Sequence, residues 1–409
     1  MGRVIGYDLT DLFCQVSISI DTDGNEEVRS VPVVTGTEKY VIPVAAYIRA
    51  DNEIIYGEDA VRASSERGVG LITNLLSGAS EGLGIENNGL RYDYADLLAG
   101  FMKRTIYLSS VLSPLDKVER VVIALSDVSE KCVKTVDKAA SFLRDEGKTY
   151  RIIGYPESFF YYAMNQNPEL TKNKVALFDY DGEVVRSLLL YTRVDTRPHL
   201  CMVESRDFDM PLKDDMCFLD IARSVLDSEI VSAVYLSGEG FEGDWLDRSV
   251  SYLCERRRRV FQGRNLYTKG ACYAGIDDRD GNPTLLTCAF FDDDKLVSDV
   301  GLHMVRDGQE TYVPLLTAGS NWYEAKGVCE FYLGEEREIR LRLESFFTKD
   351  VRYSVLRCED FPKRPEGCTR VRLEVSMKDA SCVSCKAYDL GFGDIYKSSG
   401  ARVETEVFI

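Results

Sequence analysis

Alternating apolar and polar positions open the chain and predict strands. Val4 to Asp8 and Cys14 to Ile20 read as a strand pair; an Asp21-Thr22-Asp23-Gly24 turn and a return through Val28 to Val34 make a three-strand meander. Further strands are expected at Tyr40 to Arg49 and Glu53 to Tyr56, then a short helix through Glu58 to Arg62. Leu97, Leu98, Phe101, Met102 and Ile106 fall on one helical face. Strand and helix then alternate: Val118 to Leu125, a helix over Ser129 to Asp145, Tyr150 to Gly154, and a helix from Pro156. That order predicts crossovers onto a sheet with helices packed on it. A second meander repeats the first, with Val175 to Asp179, a turn at Asp181-Gly182 and a return through Val184 to Tyr191. A helix at Phe218 to Leu226, a strand at Val231 to Leu236 and helices at Trp245 to Glu255 and Leu266 to Tyr273 complete this part.

From Gly301 the pattern changes to short strands, at Glu310 to Val313, Val328 to Leu333, Ile339 to Leu343, Val351 to Val355, Val371 to Ser376, Cys382 to Ala387 and Val403 to Phe408. These predict an all-β unit over 301–409. Residues 292–300, where acidic Asp292-Asp293-Asp294 leads into Leu296 and Val297, read as an interdomain linker. The part before it, 1–291, divides into lobe I over 1–157 and lobe II over 158–291. Such a division suits 409 residues, which fill two or three folding units.

Charge narrows the function classes. A net charge of −17 opposes binding to nucleic acid or to anionic membranes, because both require clustered positive charge. The exception is Arg256-Arg257-Arg258-Arg259, read as a solvated helix end. The N-terminus carries no basic segment followed by an apolar one, and no apolar run is long enough to span a bilayer, so a cytoplasmic protein without membrane insertion is expected. Twelve cysteines without a regular spacing read as reduced core residues. With only two histidines, His199 and His303, a histidine-based triad or multi-histidine metal centre has little material.

The chemistry concentrates in the duplication. Each repeat ends its first strand on a carboxylate, Asp8 and Asp179, ahead of a tight turn; two such turns facing one another make a cleft for phosphate and a hydrated Mg²⁺. On these residues the chain resembles the actin-like ATPase superfamily, and in particular its DnaK-type, seventy-kilodalton heat-shock chaperone branch. Val4-Ile5-Gly6-Tyr7-Asp8-Leu9-Thr10 is similar to the first phosphate motif and Leu177-Phe178-Asp179-Tyr180-Asp181-Gly182 to the second. Val234-Tyr235-Leu236-Ser237-Gly238-Glu239-Gly240-Phe241 resembles the adenosine motif. Arg151 to Pro156 and Thr268 to Gly275 look like the two connecting segments, and Thr369 to Val375 with Val383 to Asp389 looks like the chaperone β-sandwich. The resemblance implies a two-lobed α/β domain of ribonuclease H-like type followed by a substrate-binding sandwich. It further implies ATP or ADP with Mg²⁺ held by Asp8, Thr10, Asp179, Gly182, Gly238 and Gly240, with Asp8 and Asp179 as the metal residues. No helical segment follows Ile409, so the lid of the chaperones is not expected.

The functional positions depart from the family pattern. Asp11 and Glu183 introduce negative charge beside the expected phosphates, Glu239 stands where the adenosine motif has glycine, and Tyr155 replaces the glutamate of the first connecting segment. The lobe-I lysine has no counterpart in Leu71 to Leu76. Only about sixty residues separate Asp179 from Gly238, so the small adenine-clasping subdomain is expected to be missing. A carboxylate about 4 Å from a phosphate charge costs about 4 kcal/mol at an effective dielectric of 20, and losing one transition-state stabiliser costs a factor of ~10²–10³ in rate. These departures lead to a pseudo-ATPase that binds a protein or peptide client or serves as a scaffold. A slow Mg·ATP-dependent ATPase and an actin-like filament subunit are the alternatives.

Overall fold

The opening apolar alternation folds as β1 (Arg3–Leu9), β2 (Phe13–Thr22) and β3 (Asn25–Ser30), an antiparallel meander. The computed structural model describes residues 2–34, 36–67, 70–87, 89–306 and 308–409, and the chain separates into two units, Met1–Asp292 and Asp293–Ile409. In the first unit, helices α1 (Leu75–Glu81) and α2 (Tyr94–Ile106) precede β4 (Val118–Leu125), α3 (Glu130–Ala139) and β5 (Thr149–Gly154). Strand β1 pairs in parallel with β4, and β4 with β5, giving the order β5-β4-β1-β2-β3, with Ile42–Pro43 also on β2.

After α4 (Tyr155–Met164) the arrangement is repeated. Strands β6 (Lys174–Tyr180), β7 (Val184–Arg193) and β8 (His199–Asp209) form a second antiparallel meander. Past helix α5 (Asp215–Leu226), β9 (Val231–Ser237) pairs in parallel with β6, and β10 (Arg259–Gln262) with β9. Helix α6 (Leu266–Arg279) leads to β11 (Cys288–Phe291), which adds to β8. The order β10-β9-β6-β7-β8 matches the first sheet in sequence and direction.

Period-two alternation assigns each strand two faces. Tyr7 points to α2, where its hydroxyl lies 2.7 Å from Thr105 Oγ1. Gly6 faces α6 instead: a Cβ there would come within 2.0 Å of Thr268 O, so only glycine admits the helix this close. Asp8 shares that face. In the second sheet Ala176, Phe178 and Tyr180 pack with α5, whereas Val175 and Leu177 join Phe159 and Phe160 of α4 and Ala271 and Ala274 of α6 in one core that also includes Val122 and Ala124 of β4. Asp179 shares the second set's face. Helices α4 and α6 touch closely, since a Cβ on Gly270 would meet Ser158 O at 2.0 Å.

Several expectations are corrected. The boundary at 157/158 falls inside α4, and α6, from the second half, packs on β1, β2 and β4, so neither lobe is a continuous stretch of chain. The basic run is only in part a solvated helix end: Arg256 and Arg257 are exposed in a 3-10 turn just past the helix, whereas Arg258 is buried and Arg259 belongs to a strand. The preceding helix stops at Leu253, Arg256 and Arg257 take left-handed φ of 56° and 63°, and Arg259 begins β10. Arg258 is buried, donating to Tyr252 O at 2.7 Å with its guanidinium 4.8 Å from the Tyr252 ring centre. Residues 292–300 are not all linker, because a strand begins at Ser298. Strand β8 was not expected: its second half, Glu204-Ser205-Arg206-Asp207-Phe208-Asp209, is mostly exposed and has no apolar alternation.

The second unit contains β12 (Ser298–Arg306), β13 (Gln309–Leu316), β14 (Lys326–Tyr332), β15 (Glu338–Ser345), β16 (Val351–Arg357), β17 (Arg370–Asp379), β18 (Cys382–Gly391) and β19 (Arg402–Phe408). They form two antiparallel sheets, β13-β12-β15-β16 and β14-β17-β18-β19, whose apolar faces share one core. Leu316 and Trp322 belong to that core. A buried pair pins the loops beyond it: Arg364 Nη1 and Nη2 donate to Asp389 Oδ1 and Oδ2 at 2.6 and 2.8 Å, and the Ser399 amide donates to Asp389 Oδ2 at 2.9 Å. Among the described residues, no helix is long and apolar enough to cross a membrane.

Candidate functional site

Because Asp8 and Asp179 end equivalent strands on the faces that meet α4 and α6, the duplication brings both carboxylates to one cleft of about 330 Å³. The first turns of the two helices complete its floor. Tyr155, opening α4, donates its hydroxyl to Asp8 Oδ1 at 2.8 Å; Tyr267, in the first turn of α6, donates to Asp179 Oδ2 at 3.0 Å. The two rings stack with centres 3.6 Å apart and planes 14° from parallel. Each carboxylate is thus held by a tyrosine from the helix following its own sheet, and the tyrosines hold one another. Leu12, Phe13, Val41 and Pro43 supply apolar walls; Lys39, Glu58, Glu239 and Arg264 supply charge.

Burial dominates the electrostatics. It pushes Asp8 up to about 7, opposed by the Tyr155 hydrogen bond and reinforced by repulsion from Asp179. It pushes Asp179 up to about 6, against the Tyr267 hydrogen bond and the charge of Arg186. Burial, with the neighbouring carboxylates adding to it, raises both phenols as well, so they remain hydrogen-bond donors.

Of the residues expected to bind a cofactor, Asp8, Asp179 and Gly238 line the cleft together. Gly238 adopts φ of 95° and a Cβ there would come 2.2 Å from Tyr180 O, so glycine is needed for the chain to leave β9 against β6. Gly240 lies against the Tyr180 ring, where a Cβ would come within 2.2 Å, and is a packing residue outside the cleft lining. Thr10 and Gly182 are likewise outside it. Thr10 closes the β1–β2 turn: its Oγ1 accepts the Leu12 and Phe13 amides at 3.2 and 3.0 Å and donates to Phe13 O at 3.0 Å. In the second turn Asp181 Oδ1 accepts the Glu183 and Val184 amides, both at 2.8 Å. Four amides of the two turns, those of Leu12, Phe13, Glu183 and Val184, therefore already have side-chain partners inside the turn.

Asp11 has a different role from the one its charge suggested. Its Oδ1 accepts the Leu76 and Ser77 amides at 3.0 and 2.9 Å and so caps α1, whose own preceding residue, Asn74, is left-handed and makes no side-chain cap. Tyr155, expected only as a lost glutamate, is part of the site. Tyr267, Gln15 and Arg186 carry no local signal; strand register places Gln15 opposite Asp8 and Arg186 opposite Asp179, and Tyr267 is found only from the packing of α6.

The donor set fits a magnesium nucleotide poorly. Four of the turn amides are engaged by Thr10 and Asp181, and among the described residues no group of three or more His, Cys, Asp or Glu converges as metal ligands. Tyr155 and Tyr267 also take one oxygen of each carboxylate that would face a hydrated ion.

The comparison with curated proteins gave no match. Residues 295–409, nearly the whole second unit, match a domain of unknown function, DUF8552. Residues 27–290, more than half of the chain, match the C-terminal part of the family of unknown function DUF5716, and the chain belongs to that family.

Proposed function

We propose that this chain is a divergent relative of the actin/DnaK-type ATPases that acts as a pseudo-ATPase, a protein-binding or scaffold module in which the nucleotide cleft has lost its phosphate contacts. Two sheets of identical order, two helices crossing between them and a carboxylate closing each first strand support the relationship. The observation that carries the loss of nucleotide is the internal capping of both hairpin turns by Thr10 and Asp181. A phosphate would have to displace four turn hydrogen bonds, each contributing about 0.5–1.5 kcal/mol, a handicap of about 2–6 kcal/mol. Isothermal titration with Mg·ATP and Mg·ADP tests this directly: no saturable heat up to millimolar nucleotide is expected, and micromolar binding with phosphate release overturns it.

The second unit supplies the surface for a protein or peptide client, through the exposed edges of its two sheets. Twelve free cysteines, eight of them buried, suit a reducing, cytoplasmic setting. A slow ATPase is the second reading, favoured by the buried carboxylates of the cleft; alanine at Asp8 and Asp179 then abolishes turnover, and unchanged turnover rejects it. An actin-like filament subunit predicts a molar mass that rises with concentration in light scattering.

A further inference from the structure

The two copies of the hairpin differ at the position that faces the carboxylate. Across β6 and β7, Asp179 stands opposite Arg186, whose guanidinium is hydrogen-bonded to Asp207 at 2.9 and 3.2 Å and whose charge favours the ionised Asp179. Across β1 and β2, Asp8 stands opposite the neutral Gln15. Asp8 and Gln15 are each 1% exposed and both line the cleft, yet among the described residues Asp8 Oδ2 and Gln15 Oε1 have no hydrogen-bond partner. Leaving a buried acceptor unsatisfied is destabilising, more so for a charged group, and here two belong to residues directly opposite one another on one strand pair. What they lack is a hydrogen-bond donor, and the carboxylate makes a charged donor the stronger partner.

We propose that the cleft binds an organic cation, an ammonium or guanidinium group, set against Asp8 and Gln15, which supplies to the first carboxylate the positive charge that Arg186 supplies to the second. Its N–H groups satisfy the two orphaned acceptors, and its carbon stem lies along Leu12, Phe13, Val41 and Pro43, as basic side chains rest their stems on apolar surfaces. A bare divalent ion suits the floor less well, because it needs several oxygen ligands and the tyrosines already donate to the carboxylates. The group can arrive on a free amine or as the arginine or lysine side chain of a polypeptide. The inference rests on the reading that the cleft has ceased to accept nucleotide.

Calorimetric titration of the full chain separates these points. Agmatine and N-acetyl-arginine methylamide are the cationic probes, an arginine-containing tetrapeptide represents the polypeptide source, and N-acetyl-glutamine methylamide is the neutral control. The cations are expected to bind, the neutral control not. Equal affinities for agmatine and the tetrapeptide assign a free amine, whereas a tenfold preference for the tetrapeptide assigns a protein side chain. Asp8→Asn, which retains the side-chain shape, is expected to weaken binding at least tenfold, since hydrogen bonds to a charged group contribute about 1.5–3 kcal/mol. Gln15→Arg, which places a guanidinium beside Asp8 as in the second copy, is expected to abolish binding and raise the melting temperature. Absence of cation binding, or binding retained by Asp8→Asn, overturns the proposal. Binding of Mg·ADP by a chain that also ignores the cations overturns the pseudo-ATPase reading with it; Mg·ADP binding displaced by agmatine overturns that reading alone.

Discussion

Replacing Asp8 by asparagine should stabilise the first unit, and more so as pH rises. Burial holds this carboxyl at about 7 in the folded chain against 3.8 when unfolded. A raised carboxyl means that the folded state binds the proton more tightly, so its stabilising contribution is complete below pH 3.8 and is lost as pH rises through 7. At 1.36 kcal/mol per pK unit the whole span is about 4 kcal/mol, and the part falling between pH 5 and 8 is about 2–3 kcal/mol. Asparagine keeps the acceptor for Tyr155 and removes the titration. Asp179 titrates in both proteins, and its repulsion with Asp8, present only in the wild type, forms part of the difference. Urea unfolding followed by the fluorescence of Trp245, in a Trp322→Phe background that leaves one tryptophan in the first unit, measures the difference at pH 5 and pH 8. Wild-type and Asp8→Asn profiles that run parallel within about 0.5 kcal/mol would show that Asp8 is solvated or already paired, and the argument for an unmatched charge in the cleft would fail with it.

Gly270→Ala forces a methyl into Ser158 O on the opposing helix; a loss of about 1–3 kcal/mol or more is expected from overpacking, read in the same urea assay. Asp11→Ala removes the cap of α1 and should cost about 1–2 kcal/mol locally, seen as faster hydrogen exchange at Leu76 and Ser77. Asp389→Asn leaves the buried Arg364 charge without its partner, and breaking such a pair costs about 3–5 kcal/mol; thermal unfolding of the second unit reads it. Burial opposes ionisation of Asp389, but Arg364 and Ser399 outweigh it and hold the carboxyl below its usual range. That contribution is therefore present above the unfolded value and is lost only as pH falls into strong acid, where wild type and Asp389→Asn should converge.

Local pattern was sufficient wherever an element carries its own burial signal. Val4 to Asp8 and Val175 to Asp179 announce themselves as short runs buried on both faces, and the helix ending at Ile106 and the alternating strands from Ile339 to Val407 because every third and fourth or every second residue is apolar and buried. Strand β8 lacks that signal along its second half, and the Arg256 to Arg259 run misleads at one position: Arg256, Arg257 and Arg259 are exposed, but the chain turns left-handed and lays Arg258 on Tyr252.

What the sequence by itself determined about this protein is the repeated strand, turn and carboxylate, and hence that Asp8 and Asp179 are equivalent residues. It did not determine what those carboxylates meet. Their partners lie 147 and 88 residues away, in the first turns of α4 and α6, and a hydrogen bond of that separation leaves no periodic trace. Asp11 makes the same point, since a charge that reads as repulsion toward a ligand is engaged by a helix end 65 residues further on. Only tertiary packing set Arg186 against one carboxylate and left the other facing Gln15, because opposite positions on paired strands are decided by register and not by neighbours in the chain.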